Sequence, residues 1–181
     1  MEVNTNELPK NSEEWAAIDG YKNYQVSWWG RVRNTKTGRI LKSNLSSNTY
    51  LTLGLSKKGK VKSFSVHVLV AREWVKNPDS KRCVDHIDGN RTNNNYENLR
   101  WATHSENGRN QKTKSNTSSV YKGVSFSKPM KKWKGTIMIE GRQRHLGFFQ
   151  YEREAAESYN TAAVEHYKEF AKLNEFDDCE L

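Results

Sequence analysis

The chain has 181 residues, of which 34% are hydrophobic and 28% charged, with 30 basic against 21 acidic side chains and a formal net charge of +9. It contains no apolar run of the ~18 residues that a membrane span needs, and the acidic stretch MEVNTNELPKNSEEW lacks the basic-then-apolar order of a secretory signal. Two cysteines, Cys83 and Cys179, exclude a disulfide framework and any CxxC zinc module, and the expectation is a reducing, intracellular compartment.

The charge is unevenly spread. Residues 21–82 carry 14 basic and two acidic side chains and residues 112–151 carry nine and one, whereas residues 83–111 are near neutral with three and four. Blocks of this kind, interleaved with Trp28, Trp29, Tyr50, Trp133 and His145, suit a polyanion. Nucleic acid is favoured over a membrane surface, because no basic amphipathic helix accompanies the charge.

In chain order, the first basic block reads as short strands: Tyr24–Trp28, Gly30–Asn34, Arg39–Lys42, Tyr50–Leu55 and Val61–Val66, rich in β-branched or aromatic residues and separated by Gly, Asn, Ser and Lys turns. Lys57, Lys58 and Lys60 form a basic hairpin tip that either reaches a phosphate backbone or is simply solvated. From Ser65 the pattern becomes helical through Val66, Leu69, Val70 and Trp74 and stops before Asn77-Pro78. His67 lies on this stretch and reads as a packed or hydrogen-bonded structural residue, not a ligand.

The segment CVDHIDGNRTNNNYENLRWATHSEN, residues 83–107, follows as strand, Asp-Gly-Asn turn, second strand near Leu99–Thr103, and helix start. Thr103 with Glu106 is a capping-box pattern that puts Asn107 in the first turns of that helix. Asp85 offers a carboxylate, Asn107 an amide oxygen, and His86 an imidazole that is largely neutral near pH 7 and able to accept a proton. Asn98 can orient that imidazole. Consecutive strand residues point to opposite faces, so Asp85 and His86 share a site only where the strand ends. Asp88, Gly89, Asn90, Asn93, Asn94 and Asn95 read mostly as turn formers. Trp101 reads as core, and Arg100 and Arg109 as phosphate contacts or solvated side chains.

This segment resembles the HNH endonucleases, in the phage intron-homing and free-standing subgroup with a DHxDGNxxNN pattern, over residues 67–107. The resemblance implies a ββα-metal (His-Me finger) core in which Asp85 binds a divalent ion, His86 activates water, Asn98 is the middle letter and Asn107 is the second protein ligand. A carboxylate with an amide oxygen is an all-oxygen set suited to Mg²⁺ or Mn²⁺.

Residues 111–119 (QKTKSNTSS) read as a polar linker. Beyond it come strand-like YKGVSFS, KKWKGTIMI and RHLGFF, then a helix from about Glu152 to Phe170. Tyr121 to about Phe176 resembles the DNA-binding domain of plant ethylene-response factors through YKGV, KKWKGTI, HLGFF, EAAESYNTAA and AKLN. That resemblance implies a sheet inserted into the major groove. Alternation would turn Val124, Phe126, Trp133, Gly135, Ile137 and Leu146 to the helix and leave Lys122, Ser125, Ser127, Lys132, Lys134, Thr136, Met138, Gln143 and His145 facing DNA. Ser125, Met138 and His145 replace residues that are Arg, Arg and Trp in the plant pattern, so a different or looser sequence would be read. Residues 12 to about 60 resemble NUMOD-type modules through EEWAAIDGYKNYQVSWWGRVRN and GRILK, which makes Arg31 and Arg33 candidate DNA contacts.

The expected architecture is α+β: a small β-rich module (1–64), the nuclease core (65–110), the linker (111–119) and a three-stranded antiparallel sheet packed on one helix (120–176). The expected activity is a metal-dependent, site-selective DNA endonuclease of the homing type that nicks one strand per active site. The expected partner is double-stranded DNA, with no membrane or protein partner. A monomer in the cytoplasm of a bacterial host, phage-encoded, completes the reading. The competing class is a non-catalytic DNA-binding regulator with a degenerate core.

Overall fold

A computed structural model describes residues 13–110 and 118–176 and divides the chain into two compact units, Met1–Ala102 and Thr103–Leu181. In the first unit, β1 (Trp15–Ala17), β2 (Tyr24–Ser27) and β3 (Val32–Asn34) form one antiparallel sheet, and β4 (Asn44–Leu45), β5 (Leu51–Lys57) and β6 (Lys60–Ser65) a second. Helix α1 (Val66–Trp74) follows directly, then the two-stranded hairpin β7 (Cys83–His86) and β8 (Leu99–Ala102). Period-two burial in β2 and β5 turns Val26, Leu53 and Leu55 inward, where they meet Val66, Leu69 and Val70 of α1 and Leu99 of β8 in one core. Each fully buried aliphatic side chain of this set contributes roughly 1.5–3 kcal/mol. Because α1 packs on β2, β5, β6, β7 and β8, it ties both N-terminal sheets to the hairpin.

The expected strand at Arg39–Lys42 is not formed. Only Ile40 makes an isolated bridge, to Arg33, and the strand lies later, at Asn44–Leu45. The turn Asn34–Gly38 feeds back on itself, with the Asn34 carboxamide accepting the Lys36 and Thr37 amides, and this delays the chain's return to an extended course. Helix α1 ends where Val75 becomes extended, and the Asn77 side chain closes the next loop on both backbone groups of Lys81.

In the second unit, α2 (His104–Arg109) opens with the expected capping box: Thr103 Oγ1 accepts from the Glu106 amide at 3.2 Å and Glu106 Oε2 from the Thr103 amide at 2.7 Å. Strands β9 (Val124–Ser127), β10 (Lys132–Ile139) and β11 (Arg142–Phe149) form an antiparallel sheet with β10 central, and α3 (Glu152–Tyr167) lies across one face. Small buried residues Ala155, Ala156 and Ala163 allow the close approach. The helix stops short of Phe170, because Lys168 takes a positive φ and a single 3-10 turn finishes the segment. Asn174 then clamps the chain, exchanging hydrogen bonds with both Asn160 and the backbone of Lys122. Phe126 departs from the expected alternation: it is 42% exposed and touches Trp133 edge-on instead of entering the core, as befits a position on an edge strand. The expected linker falls largely on 111–117, and Cys179 on 177–181, both outside the described residues. No helix among the described residues is long and apolar enough to cross a membrane.

One turn couples the first sheet to the hairpin loop. Gly30 has φ +86°, and a Cβ there would lie 2.8 Å from Asn94 Cβ and 3.3 Å from Val66 Cγ1. Beside it, the Trp28 carbonyl accepts from the Tyr96 amide and the two rings stack at 5.7 Å. Gly30→Ala is expected to cost about 1–3 kcal/mol through backbone strain and displacement of Asn94, measured by urea denaturation. An unchanged midpoint would show that the loop is not held this way.

Candidate active site

Strand β7 ends at His86, which lets the two neighbouring side chains Asp85 and His86 share one end of the hairpin. Each is only 4% exposed. The register places Asp85 opposite Arg100 and His86 opposite Leu99. Arg100 donates from Nε at 2.9 Å and from Nη2 at 2.8 Å, both to Asp85 Oδ2, so the buried carboxylate carries its own cation.

The imidazole of His86 is oriented from the loop. Its Nε2 lies 3.1 Å from Asn94 Oδ1, and Asn94 Nδ2 in turn donates to the Thr92 carbonyl, which fixes the amide so that its oxygen faces the ring. Facing that oxygen, a neutral ring donates from Nε2, the tautomer whose proton acceptor is Nδ1. Burial pushes the His86 pKa below its usual value, offset in part by Asn94 and by the charges of Asp88 and Asp85. At neutral pH the ring is an uncharged base.

Asn98, expected at the imidazole, serves the turn. Its Oδ1 accepts from the Asp88 amide at 3.0 Å, and its Nδ2 donates to Asp88 Oδ1 and to the Asn93 carbonyl, each at 2.9 Å. Asp88 also accepts from the Asn90 backbone and the Asn93 side chain. Burial would raise the Asp88 pKa, but these donors hold it below the ordinary value. The physical reason for the exchange of roles is position: Asn98 precedes β8 and faces the Asp88–Gly89 turn, whereas the loop brings Asn94 back under the imidazole. Asn94 was legible only as one of three consecutive asparagines, and no sequence signal singled it out.

Behind His86 lies a column of rings. His67 of α1 is 5.1 Å from His86 and 4.7 Å from Tyr50, and Arg91 covers the Tyr50 ring at 4.9 Å while donating to the Asn48 carbonyl. His67 is buried and its Nδ1 has no hydrogen-bond partner among the described residues. Burial first, then the neighbouring His86, pushes its pKa down to about 4.

The candidate DNA contacts differ in accessibility. Lys57, Lys58 and Lys60 are exposed around the β5–β6 turn. Arg31 is paired with Glu13, and Arg33 donates from Nε and Nη2 to Gln25 Oε1 at 2.9 and 2.7 Å with its guanidinium 4.3 Å from the Trp15 ring, so both arginines are already engaged. In the second unit, Ser125, Lys132, Met138, Gln143 and His145 are exposed and Lys134 and Thr136 half-buried on the sheet face away from α3. Phe148, absent from the sequence expectation, joins them with its ring 4.6 Å from His145. Lys122 does not belong to that surface: it is half-buried, its Nζ donates to the Arg109 carbonyl at the end of α2, and burial lowers its pKa to about 8. Asn107 stands in α2, in the first turns after the Thr103 cap.

Comparison with known proteins matches residues 65–109 to an HNH endonuclease family model and residues 13–56 to a NUMOD4 motif. The DNA endonuclease I-HmuI of Bacillus phage SP01 is 41% identical over 127 residues, which cover 70% of this chain and 72% of that enzyme. The chain belongs to the HNH endonuclease family. An uncharacterised HNH endonuclease of Acanthamoeba polyphaga mimivirus is 40% identical over 94 residues, 52% of this chain, although the chain spans only 28% of that protein's length. A solved structure described as DNA binding and cleavage by the HNH homing endonuclease I-HmuI matches with a TM-score of 0.53 at 30% identity, covering 86% of this chain and 91% of that one. Within this HNH chain the match spans α1, β7, β8 and α2, and the NUMOD4 motif spans β1 to β5.

Among the described residues no three His, Cys, Asp or Glu side chains gather into a metal cluster. The Asp85 carboxylate is a hard oxygen donor, and in the free protein it is already paired with the Arg100 guanidinium. An oxygen donor of this kind is suited to a hard divalent cation.

Two outcomes follow. Asn94→Ala is expected to lower kcat roughly tenfold or more by releasing the imidazole while leaving DNA affinity unchanged in a gel-shift assay; unchanged kcat would remove Asn94 from the site. The depressed pKa of His67 means that the unfolded chain takes up a proton the folded one excludes. Stability is therefore full above pH 6.5 and falls as the pH drops towards 4, by about 2 kcal/mol at pH 5 for this group alone. In urea titrations at pH 7.5 and pH 5, His67→Phe should lose correspondingly less than wild type, and an equal loss would contradict the burial argument.

Proposed function

We propose that the protein is a site-selective DNA endonuclease of the homing type that hydrolyses phosphodiester bonds with the help of a divalent ion, nicking one strand per active site. The observation that carries the reading is the buried pair at the end of β7: a neutral, Asn94-oriented imidazole beside a carboxylate that is held with a cation. In this reading His86 Nδ1 takes the proton from an attacking water, and Asn94 keeps the ring in register while charge develops on it. Asp85, with Asn107 as the second ligand implied by the family pattern, would hold Mg²⁺ or Mn²⁺. Such an ion, when bound, stabilises negative charge on the phosphate and on the leaving 3′ oxygen. Asn98 fixes the Asp88 turn, so its effect on catalysis runs through loop geometry.

Binding is assigned to double-stranded DNA. The exposed Lys57, Lys58 and Lys60 tip supplies phosphate contacts, and Arg31 and Arg33 join only by exchanging their internal partners. The sheet face of Ser125, Lys132, Lys134, Thr136, Met138, Gln143 and His145 supplies a second contact surface. Two dissimilar binding elements and one catalytic pair support a monomer acting on an asymmetric site. Support for a DNA substrate comes from the phage relative, which is named a DNA endonuclease.

Supercoiled plasmid or phage genomic DNA incubated with Mg²⁺ should be converted first to the nicked form. His86→Ala is expected to slow this by about 10²- to 10⁴-fold, and Asp85→Ala to abolish it, with gel-shift affinity retained in both. Retained affinity with no cleavage by the wild type under any divalent ion would instead indicate a DNA-binding regulator.

A further inference from the structure

Arg100 is an unusual neighbour for a residue expected to hold a divalent ion. The pair is set by the hairpin register, Asp85 opposite Arg100, and not by the chance meeting of two long surface side chains. Both side chains are largely withdrawn from water, at 6% and 16% exposure, and both guanidinium donors converge on a single carboxylate oxygen. A carboxylate buried this deeply needs a compensating charge at all times, because desolvation of an unpaired ion costs several kcal/mol.

The surrounding charges determine what a second cation would meet. Arg91 lies close enough to influence His86 and adds positive charge, while the Asp88 carboxylate is spent on Asn90, Asn93 and Asn98. Asp85 and Asp88 balance Arg91 and Arg100. A divalent ion on Asp85 would then sit next to a like-charged guanidinium, in a setting where water screens poorly. A DNA phosphate would add negative charge that offsets this repulsion.

We propose that Arg100 is the resident counter-ion of Asp85 and makes divalent-ion binding at that carboxylate depend on bound DNA. Resting on the nuclease reading above, this adds a positioning role for Arg100: it keeps the ligand carboxylate aligned and neutralised in the free protein, and yields when phosphate enters. The consequence is an enzyme that does not load its ion until substrate is present.

Mn²⁺ binding followed by electron paramagnetic resonance tests this, with free protein and with a short mixed-sequence duplex at low salt, all in a His86→Ala background to prevent cleavage. Signal from the Asp85→Asn protein is subtracted as non-specific binding. Free wild-type protein should bind Mn²⁺ weakly, and Arg100→Gln should bind it about tenfold or more tightly, whereas Arg100→Lys, which keeps the charge, should stay weak. Adding duplex should tighten the wild type and narrow the gap. Arg100→Met provides a second neutral variant should the glutamine protein fail to fold by circular dichroism. Neutral variants that bind Mn²⁺ no more tightly than wild type, or a wild type equally tight with and without duplex, would overturn the counter-ion role and leave the nuclease reading standing. Absence of Mn²⁺ binding at Asp85 even with duplex would overturn both.

Discussion

The structure depends on one constraint: two neighbouring polar residues, Asp85 and His86, are removed from water at the end of a two-stranded hairpin. Desolvation is unfavourable for a carboxylate and for an imidazolium alike, and the fold answers each cost differently. Asp85 stays compensated because the hairpin register sets Arg100 against it. His86 answers burial by becoming a weaker base than free imidazole, and is therefore uncharged at neutral pH. One environment sets a salt-bridged carboxylate beside a neutral imidazole, the pair on which the proposed phosphodiester hydrolysis rests.

The rest of the first unit keeps this pair in place. Helix α1 brings His67 against the far side of His86 and, through its aliphatic face, fastens the hairpin to both N-terminal sheets. The turn at Gly30 and the Trp28–Tyr96 stack fix the loop that carries Asn94. The asparagine-rich loop is thus divided in function: Asn98 and Asn93 pin the Asp88 turn, and Asn94 holds the base. The buried His67 Nδ1, which has no hydrogen-bond partner among the described residues, is a destabilising feature beside the His86 ring.

Much of this was legible in the sequence for physical reasons. The α1 stripe and the capping box at Thr103 are local patterns, and both elements form as read. The need for a strand end at Asp85-His86 followed from the two-residue side-chain period, and β7 ends there. What was not legible depends on pairing across distance. Arg100 could have been placed beside Asp85 only by fixing the register of β7 on β8, which the burial of Leu99 opposite His86 sets. Asn94 could not be separated from Asn93 and Asn95 without the position of Gly30. Lys122 reads as one more basic sheet residue, yet the unsatisfied carbonyl at the end of α2 draws it inward. The missed strand at Asn44–Leu45 and the exposed Phe126 are short or edge positions, where local composition weighs little against pairing.

The central claim is that the hairpin presents His86 as a neutral imidazole protonated at Nε2 and accepting at Nδ1. Long-range ¹H–¹⁵N correlation spectra of ¹⁵N-histidine-labelled protein at pH 7 report this directly, with His86 assigned by its absence from the His86→Ala spectrum. The account predicts a protonated Nε2 and an unprotonated Nδ1 that persist below the pH at which free histidine becomes charged. A His86 ring that is doubly protonated at pH 7, or that carries its single proton on Nδ1, would contradict it.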